Sequence, residues 1–150
     1  MILPKNLKNP RTQSSRPARS TKKMKDNKLT IRINKPVHEV YLFTITPPNS
    51  TQWIPSVVKE EINEWPVKRE TVYTLQTKEG TFSEVTVADI KSDEFIEWIS
   101  KDRNYHCRYS FKPINENMTE LEYYEWIDDG ELKEPFTLKI LQKLKSVLEK

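Results

Sequence analysis

From residue 28 onward, short runs of alternating apolar and polar residues predict β-strands. The first run is Leu29–Ile33. Six later runs are rich in Val, Ile, Thr and aromatic residues, which suit a pleated, half-buried surface. They are Val57–Trp65, Thr71–Lys78, Thr81–Lys91, Glu94–Ser100, Tyr105–Phe111 and Thr119–Ile127. Because short turns such as Lys78–Gly80 join them, the chain is expected to form an antiparallel meander.

Two short helices are predicted between the first and second of these runs. Pro36 suits the first turn of a helix, because the N–H that proline lacks has no helical partner there. Val40 and Tyr41 follow at helical spacing, and the helix is expected to end before Pro47-Pro48. A second short helix is expected to end in the motif Trp53-x-Pro55.

The end of the chain predicts a long amphipathic helix over about residues 135–149. Its apolar stripe consists of Phe136, Ile140, Leu144, Val147 and Leu148. Lys139 and Lys143 fall largely on the opposite, polar face. A helix with one apolar face needs an apolar partner, and the concave face of the predicted sheet is the simplest one.

This order of one strand, two helices, six strands and a closing helix resembles the START-like (SRPBCC) superfamily of polyketide cyclase/dehydrase and lipid-transport type. The local signals are Lys35-Pro36, Val40-Tyr41, Trp53-x-Pro55, Tyr109-x-Phe111-x-Pro113 and Met118-Thr119-x-Leu121. The resemblance implies an α+β helix-grip fold, in which an antiparallel sheet wraps around the C-terminal helix and encloses a ligand cavity. The chain departs from it at Glu70 and Met118, where the family often has glycine.

Charge divides the chain at about residue 28. Residues 1–27 contain eight Lys or Arg and one Asp, whereas residues 28–150 have a net charge of −4. The first segment has no aromatic residue and too little apolar surface to offset the entropy of ordering. We therefore expect a disordered basic tail over residues 1–27 and a single domain over residues 28–150. Met24 just before the first strand raises the further hypothesis that residues 1–23 are an upstream extension.

The same composition bears on targeting signals and partners. The tail contains no apolar core of a secretory signal, and no run of about 18 apolar residues occurs. The expected location is therefore cytoplasmic, without a membrane span. The tail also lacks aromatic residues that would stack on bases, so nucleic acid is not an expected partner. The expected partner is a small hydrophobic ligand, bound by a monomer.

Strand alternation indicates which side chains face the cavity. In the run Tyr105–Phe111, the odd-numbered residues share one face and His106 and Arg108 share the other. The expected ligand contacts are Trp53, Tyr73, Leu75, Val87, Trp98, Tyr105, Tyr109, Phe111, Tyr123, Ile140 and Leu144. Such a lining is typical of a small-molecule site. The alternative for each residue is an ordinary place in the core, because aromatic residues in half-buried strands need no ligand to explain them.

Candidates for covalent or metal chemistry are few. Cys107 is the only cysteine, which excludes an intramolecular disulfide and a multi-cysteine zinc site. His106 points to the opposite face of its strand, so it does not serve Cys107 as a base, and His38 is expected in solvent. This set matches no zinc spacing. Gly80 and Gly130 alone cannot form a phosphate-binding loop, and neither a metal nor another cofactor is expected.

Glu125 is the weak candidate for acid–base catalysis. If it shares the inward parity of Leu121 and Tyr123, desolvation favours its protonated form and the carboxyl group can transfer a proton. The opposite register sends Tyr124 and Trp126 inward instead, and the sequence leaves the register of residues 119–127 open. A position at the wet rim of the cavity is the alternative for a glutamate at a strand end.

Three classes of function are consistent with these observations. The first is binding or transport of a small hydrophobic molecule, such as a lipid, a polyketide-like compound or an aromatic metabolite. The second is an enzyme of the cyclase/dehydratase type. The third is a protein-interaction or co-chaperone-like module, for which Trp65 and Trp126 are the surface residues to inspect. The first is favoured because a cavity is implied while no catalytic set is visible, although whether a reaction is catalysed stays open.

Overall fold

The computed structural model describes residues 24–150. In chain order, this part folds into β1 (Asp26–Ile33), α1 (Val37–Ile45), a short 3₁₀ helix (Asn49–Gln52), β2 (Val57–Ile62), β3 (Val72–Thr77), β4 (Phe82–Lys91), β5 (Phe95–Ser100), β6 (Tyr105–Asn115), β7 (Met118–Ile127) and α2 (Leu138–Leu148). The two predicted short helices are thus α1 and the 3₁₀ helix, and both lie between β1 and β2.

The strands form one curled antiparallel sheet in the order β1-β7-β6-β5-β4-β3-β2. Strands β2 to β7 follow one another as a meander. Strand β1 pairs with β7, so β1 and β2 are the two edges of the sheet. Leu141 and Leu144 of α2 are fully buried. Burial of one such side chain contributes about 1.5–3 kcal/mol to folding. The predicted α+β helix-grip fold is therefore confirmed.

Strand β1 begins at Asp26, two residues before the predicted domain boundary at residue 28. Polar contacts, rather than apolar burial, hold this first part of the strand. The side chain of Asn27 donates to Glu125 Oε2 at 2.9 Å and to the carbonyl of Phe136 at 3.0 Å. Hydrophobic patterning cannot detect a strand start of this kind. The rest of the predicted tail, residues 1–23, lies outside the described residues.

Strand β2 contains a bulge that changes which of its side chains face inward. Its pairing with β3 shifts register between Val57 and Lys59, so strict alternation fails there. As a result Glu60 is buried, whereas Glu61 is exposed. The strand also ends at Ile62 rather than at the predicted Trp65.

The remaining boundaries differ from the prediction by a few residues. Strand β6 runs to Asn115, four residues beyond Phe111, because its pairing with β7 continues to Met118. Helix α2 begins at Leu138 rather than at Pro135. Within residues 24–150, no helix is both long enough and apolar enough to cross a membrane.

Candidate functional site

The inner face of β6 and β7 carries a row of buried aromatic residues. Tyr105, Cys107, Tyr109 and Phe111 are all buried, as alternation predicts. On β7 the inward residues are Leu121, Tyr123 and Glu125. The structure thus decides the register that the sequence left open, and Tyr124 and Trp126 lie on the outer face.

Aromatic rings from five parts of the chain meet in the interior. The ring centroids of Trp98 and Tyr109 are 4.9 Å apart, and those of Trp53 and Tyr109 are 6.3 Å apart. Phe136, just before α2, stacks on Tyr123 at 4.1 Å. Such pairs add about 0.5–1.5 kcal/mol beyond the area they bury. We call these five residues the aromatic cluster.

Most of the predicted ligand contacts belong to this interior. Those that are buried on the inner side of the fold, apart from Trp53, are Tyr73, Leu75, Val87, Trp98, Tyr105, Tyr109, Phe111, Tyr123 and Leu144. They pack against one another in a single hydrophobic core. Their contact with a ligand stays a prediction.

Two indole N–H groups of the aromatic cluster have no hydrogen-bond partner among the described residues. They are Trp53 Nε1 and Trp98 Nε1, and both side chains are at most 2% exposed. Tyr73, by contrast, donates its hydroxyl to the carbonyl of Ile45 at 2.6 Å. A buried tryptophan N–H usually finds an acceptor, and leaving it unpaired costs about 1–3 kcal/mol. The interior therefore contains two unpaired donors.

Glu125 is buried, and its carboxylate accepts four hydrogen bonds. Oε1 accepts from the hydroxyls of Tyr105 at 2.6 Å and Tyr123 at 2.9 Å. Oε2 accepts from Asn27 Nδ2 at 2.9 Å and from the backbone N–H of Phe136 at 2.8 Å. With 1% exposure, Glu125 does not lie at a wet rim. These four bonds join β1, β6, β7 and the segment before α2.

Burial keeps the neighbouring phenols and the thiol protonated. It raises the pKa values of Tyr105, Tyr109 and Tyr123 well above the ordinary value of 10.0, and the neighbouring Glu125 carboxylate acts in the same direction. Burial likewise raises the pKa of Cys107 to about 12. At neutral pH Cys107 is therefore a thiol and a poor nucleophile.

Glu60 is a second buried carboxylate, which sequence reasoning missed. It is 6% exposed, and its Oε1 accepts from the backbone N–H of Ser50 at 3.1 Å. Burial raises the pKa of Glu60, while hydrogen bonding from Ser50 opposes the shift. The bulge in β2 turns this residue inward, and no signal in the alternation of Val57–Ile62 indicates it.

Both histidines lie outside the interior. His38 Nδ1 is 2.7 Å from Asp93 Oδ1, and His106 Nε2 is 2.8 Å from Asp128 Oδ2. His106 also stacks on Trp126 at 4.7 Å on the outer face of the sheet. Over residues 24–150, no group of three or more His, Cys, Asp or Glu side chains is arranged to hold a metal ion.

A cleft with a volume of about 560 Å³ opens between the segment Thr51–Pro55 and α2. Its apolar lining includes Trp53, Ile54, Pro55 and Ile140, and its exposed lining includes Lys139 and Lys143. Two predicted ligand contacts, Trp53 and Ile140, therefore meet here. Trp53 belongs both to this cleft and to the aromatic cluster. The two lysines were expected largely on the polar face of the helix.

A second groove, of about 680 Å³, lies where α1 meets the β4–β5 turn and β6. Its lining is of mixed charge, with Asp93, Glu94, Arg108 and Lys112. The guanidinium of Arg108 is already paired with Glu97 at 2.9 Å and covers the ring of Phe95 at 4.0 Å. This groove therefore resembles a small-molecule site less than the cleft beside α2 does.

Comparison with solved structures identifies the class of fold. A START superfamily protein from Mycobacterium smegmatis matches with a TM-score of 0.64 at 12% identity, over 83% of this chain and 97% of that one. The Aha1 dimer from Colwellia psychrerythraea matches with a TM-score of 0.60 at 13% identity, over 84% and 97%. A polyketide-cyclase-like protein from Corynebacterium glutamicum matches with 0.50 at 20% identity, over 69% and 65%.

No protein-family model matches the sequence, and no curated protein matches it either. At identities of 20% and below, the structural likeness shows the fold alone. The chain has a START-like, SRPBCC-type fold, as the sequence resemblance predicted.

Proposed function

We propose that this protein binds a small, mostly apolar molecule in the cleft between Thr51–Pro55 and α2. The observation that carries the proposal is the cleft itself, with an apolar lining and a volume of about 560 Å³. Small-molecule sites typically have volumes of roughly 300–1,000 Å³ and combine apolar walls with a few polar groups. Thr51, Gln52 and Thr137 supply polar groups to this lining, and Trp53, which also lines the cleft, has a buried N–H without a partner in the described part of the chain.

The fold supports the same class of function. Neighbours in structure are named as a START superfamily protein and a polyketide-cyclase-like protein. Because fold alone does not define function, this likeness adds to the cleft and does not replace it. The predicted contacts in the interior, such as Tyr109 and Trp98, are proposed to form the deep end of the site.

The chemistry of the interior favours a binding protein over an enzyme. Protein groups already donate four hydrogen bonds to Glu125, the predicted acid–base candidate. Cys107 is a buried thiol, and His38 and His106 lie on the outside. We therefore propose carriage or sensing of the ligand without turnover.

The test uses a neutral probe, so that only apolar binding is measured. N-phenyl-1-naphthylamine is titrated into the protein and its fluorescence followed, and 1-dodecanol is used as a competitor. Ile140→Trp should fill the cleft and weaken binding about tenfold or more. The matched control is Leu138→Trp, since Leu138 is 44% exposed on the same helix and does not line the cleft.

Two results would overturn the proposal. One is that neither neutral compound binds the wild-type protein. The other is that Ile140→Trp and Leu138→Trp bind the probe equally well. A monomeric state and a cytoplasmic location belong to the same proposal, and light scattering and cell fractionation check them.

A further inference from the structure

We propose that the ligand is amphipathic and that its polar end is a carboxylate or a similar small acid, held by Lys139, Lys143 and the start of α2. This inference rests on the proposed binding function. It concerns the chemistry of the ligand's polar end, which the apolar cleft alone does not specify.

The first argument is the charge of the cleft. Among the described residues that line it, Lys139 and Lys143 are basic and none is acidic. Both lysines are exposed, and neither forms an ion pair within residues 24–150. Lys145 of the same helix differs, because it is 2.7 Å from Glu149 Oε2 and donates to the carbonyl of Arg32 at 2.9 Å. On α2, the two lysines beside the cleft are therefore the ones without a counter-ion in the described part of the chain.

The second argument is the spacing of the two lysines. Residues four apart on a helix lie on the same face, with Cβ atoms about 5–6 Å apart. Like charges at this spacing repel each other. An anion between Lys139 and Lys143 replaces that repulsion with two attractions, and the apolar walls beside it lower the screening by water.

The third argument is the start of α2. The first turn of a helix has N–H groups without helical partners and a partial positive charge, so acidic residues are favoured there. Helix α2 has no acidic residue in its first turn, and Thr137 provides no side-chain cap. Thr137 and Lys139 both line the cleft. The helix start adds to the positive potential of the two lysines, and helix N-termini bind anions readily.

An independent observation comes from the opposite wall. Trp53 lines the same cleft at 2% exposure, and its Nε1 has no acceptor in the part of the chain described. The ammonium groups of Lys139 and Lys143 and the indole N–H are all donors. A ligand that matches them presents acceptors, and a carboxylate has two acceptor oxygens and no donor.

The experiment compares three ligands with the same chain: dodecanoic acid, methyl dodecanoate and 1-dodecanol. Each displaces N-phenyl-1-naphthylamine from the full-length protein at pH 7.5. The acid should bind about tenfold more tightly than the ester and the alcohol, and the difference should shrink as salt is added. In the double variant Lys139→Gln/Lys143→Gln the acid should lose this advantage, while the alcohol binds as before.

Lys101→Gln is the control, because Lys101 is an exposed lysine in the β5–β6 turn and does not line the cleft. It should leave the preference for the acid unchanged. Equal binding of acid and alcohol to the wild-type protein would overturn the inference and leave the proposed function standing. An acid preference that survives in the double variant would overturn the role of the lysines. Failure of all three ligands to bind would instead remove the proposed function itself.

Discussion

Two glutamates are buried on the inner side of the sheet, and their surroundings differ. Glu125, on β7, accepts four hydrogen bonds from Tyr105, Tyr123, Asn27 and the backbone of Phe136. Glu60, on β2, receives its hydrogen bonding from Ser50 alone among the described residues. Both oxygens of the Glu125 carboxyl group accept hydrogen bonds from the protein. The carboxyl group of Glu60 has acceptor sites that no described residue uses.

The same difference extends to the residues near each glutamate. Around Glu125 the phenols are engaged, and the polar groups join several strands. In residues 50–60, which include Glu60, three buried polar atoms lack a partner within residues 24–150, namely Ser50 Oγ, Trp53 Nε1 and Ser56 Oγ. The segment that contains them also forms one wall of the cleft. The hydrogen bonds between β1, β6 and β7 therefore join elements of the fold, while residues 51–55 border the cleft of the proposed function.

The largest effect on stability is expected from removing the carboxyl group of Glu125. Glu125→Leu leaves the side chain of Asn27, the N–H of Phe136 and two phenols without their acceptor in a buried place. Leaving a buried donor without its acceptor costs about 1–3 kcal/mol, and because four donors share the loss and can partly rearrange, a total of about 3–5 kcal/mol is expected. The free energy of unfolding, measured by urea titration, should fall by that amount.

The matched control for this variant is Glu84→Leu. Glu84 is exposed on the outer face of β4, and its loss should change the free energy of unfolding by less than about 0.5 kcal/mol. If both variants unfold at the same urea concentration, Glu125 does not organise this part of the fold and the comparison fails.

A smaller effect with a distinct pH dependence is expected at Glu60. Because burial raises its pKa in the folded protein, the folded state holds this proton to a higher pH than the unfolded chain. The unfolded state then binds fewer protons, so stability falls as pH rises above the ordinary value of 4.5. Glu60→Gln removes this fall, and should stabilise the protein by roughly 0.5–1 kcal/mol at pH 7.5 but not at pH 4.

The measurement is thermal or urea unfolding of the wild type and the variant between pH 4 and pH 8. Glu61→Gln is the control, since Glu61 is exposed on the same strand and is paired with Lys59 at 3.4 Å in solvent. Parallel stability curves for the wild type and Glu60→Gln would show that Glu60 is not held in a protonation-sensitive site.

Much of the fold could be predicted from hydrophobic patterning, because burial of alternate residues is what forms this sheet. The run Tyr105–Phe111 is the clearest example, and its buried residues are the predicted ones. The start of β1 at Asp26 could not be predicted in this way, since side-chain bonds of Asn27 hold it. The inward turn of Glu60 depends on a bulge that alternation excludes.

The site was predictable only in part. Trp53 and Ile140 were predicted from their apolar character, and both line the cleft. Lys139 and Lys143 were assigned to the polar face of the closing helix, which is correct for the helix alone. The segment Thr51–Pro55 packs beside that face, and only the tertiary structure shows that the lysines border a cleft. Single-sequence periodicity contains no information on this packing.

The smallest expected effect concerns Ser56, whose buried hydroxyl has no partner in the described part of the chain. Ser56→Ala removes a desolvated polar atom without breaking a hydrogen bond, so stability should stay equal or rise by up to about 0.5 kcal/mol. Thr119→Val is the contrasting variant. Thr119 Oγ1 donates to the carbonyl of Lys35 at 2.8 Å, and its loss should cost about 1 kcal/mol. Urea unfolding of both variants measures the difference, and a loss of 1 kcal/mol or more in Ser56→Ala would mean that the region of residues 50–60 is as completely hydrogen-bonded as the surroundings of Glu125.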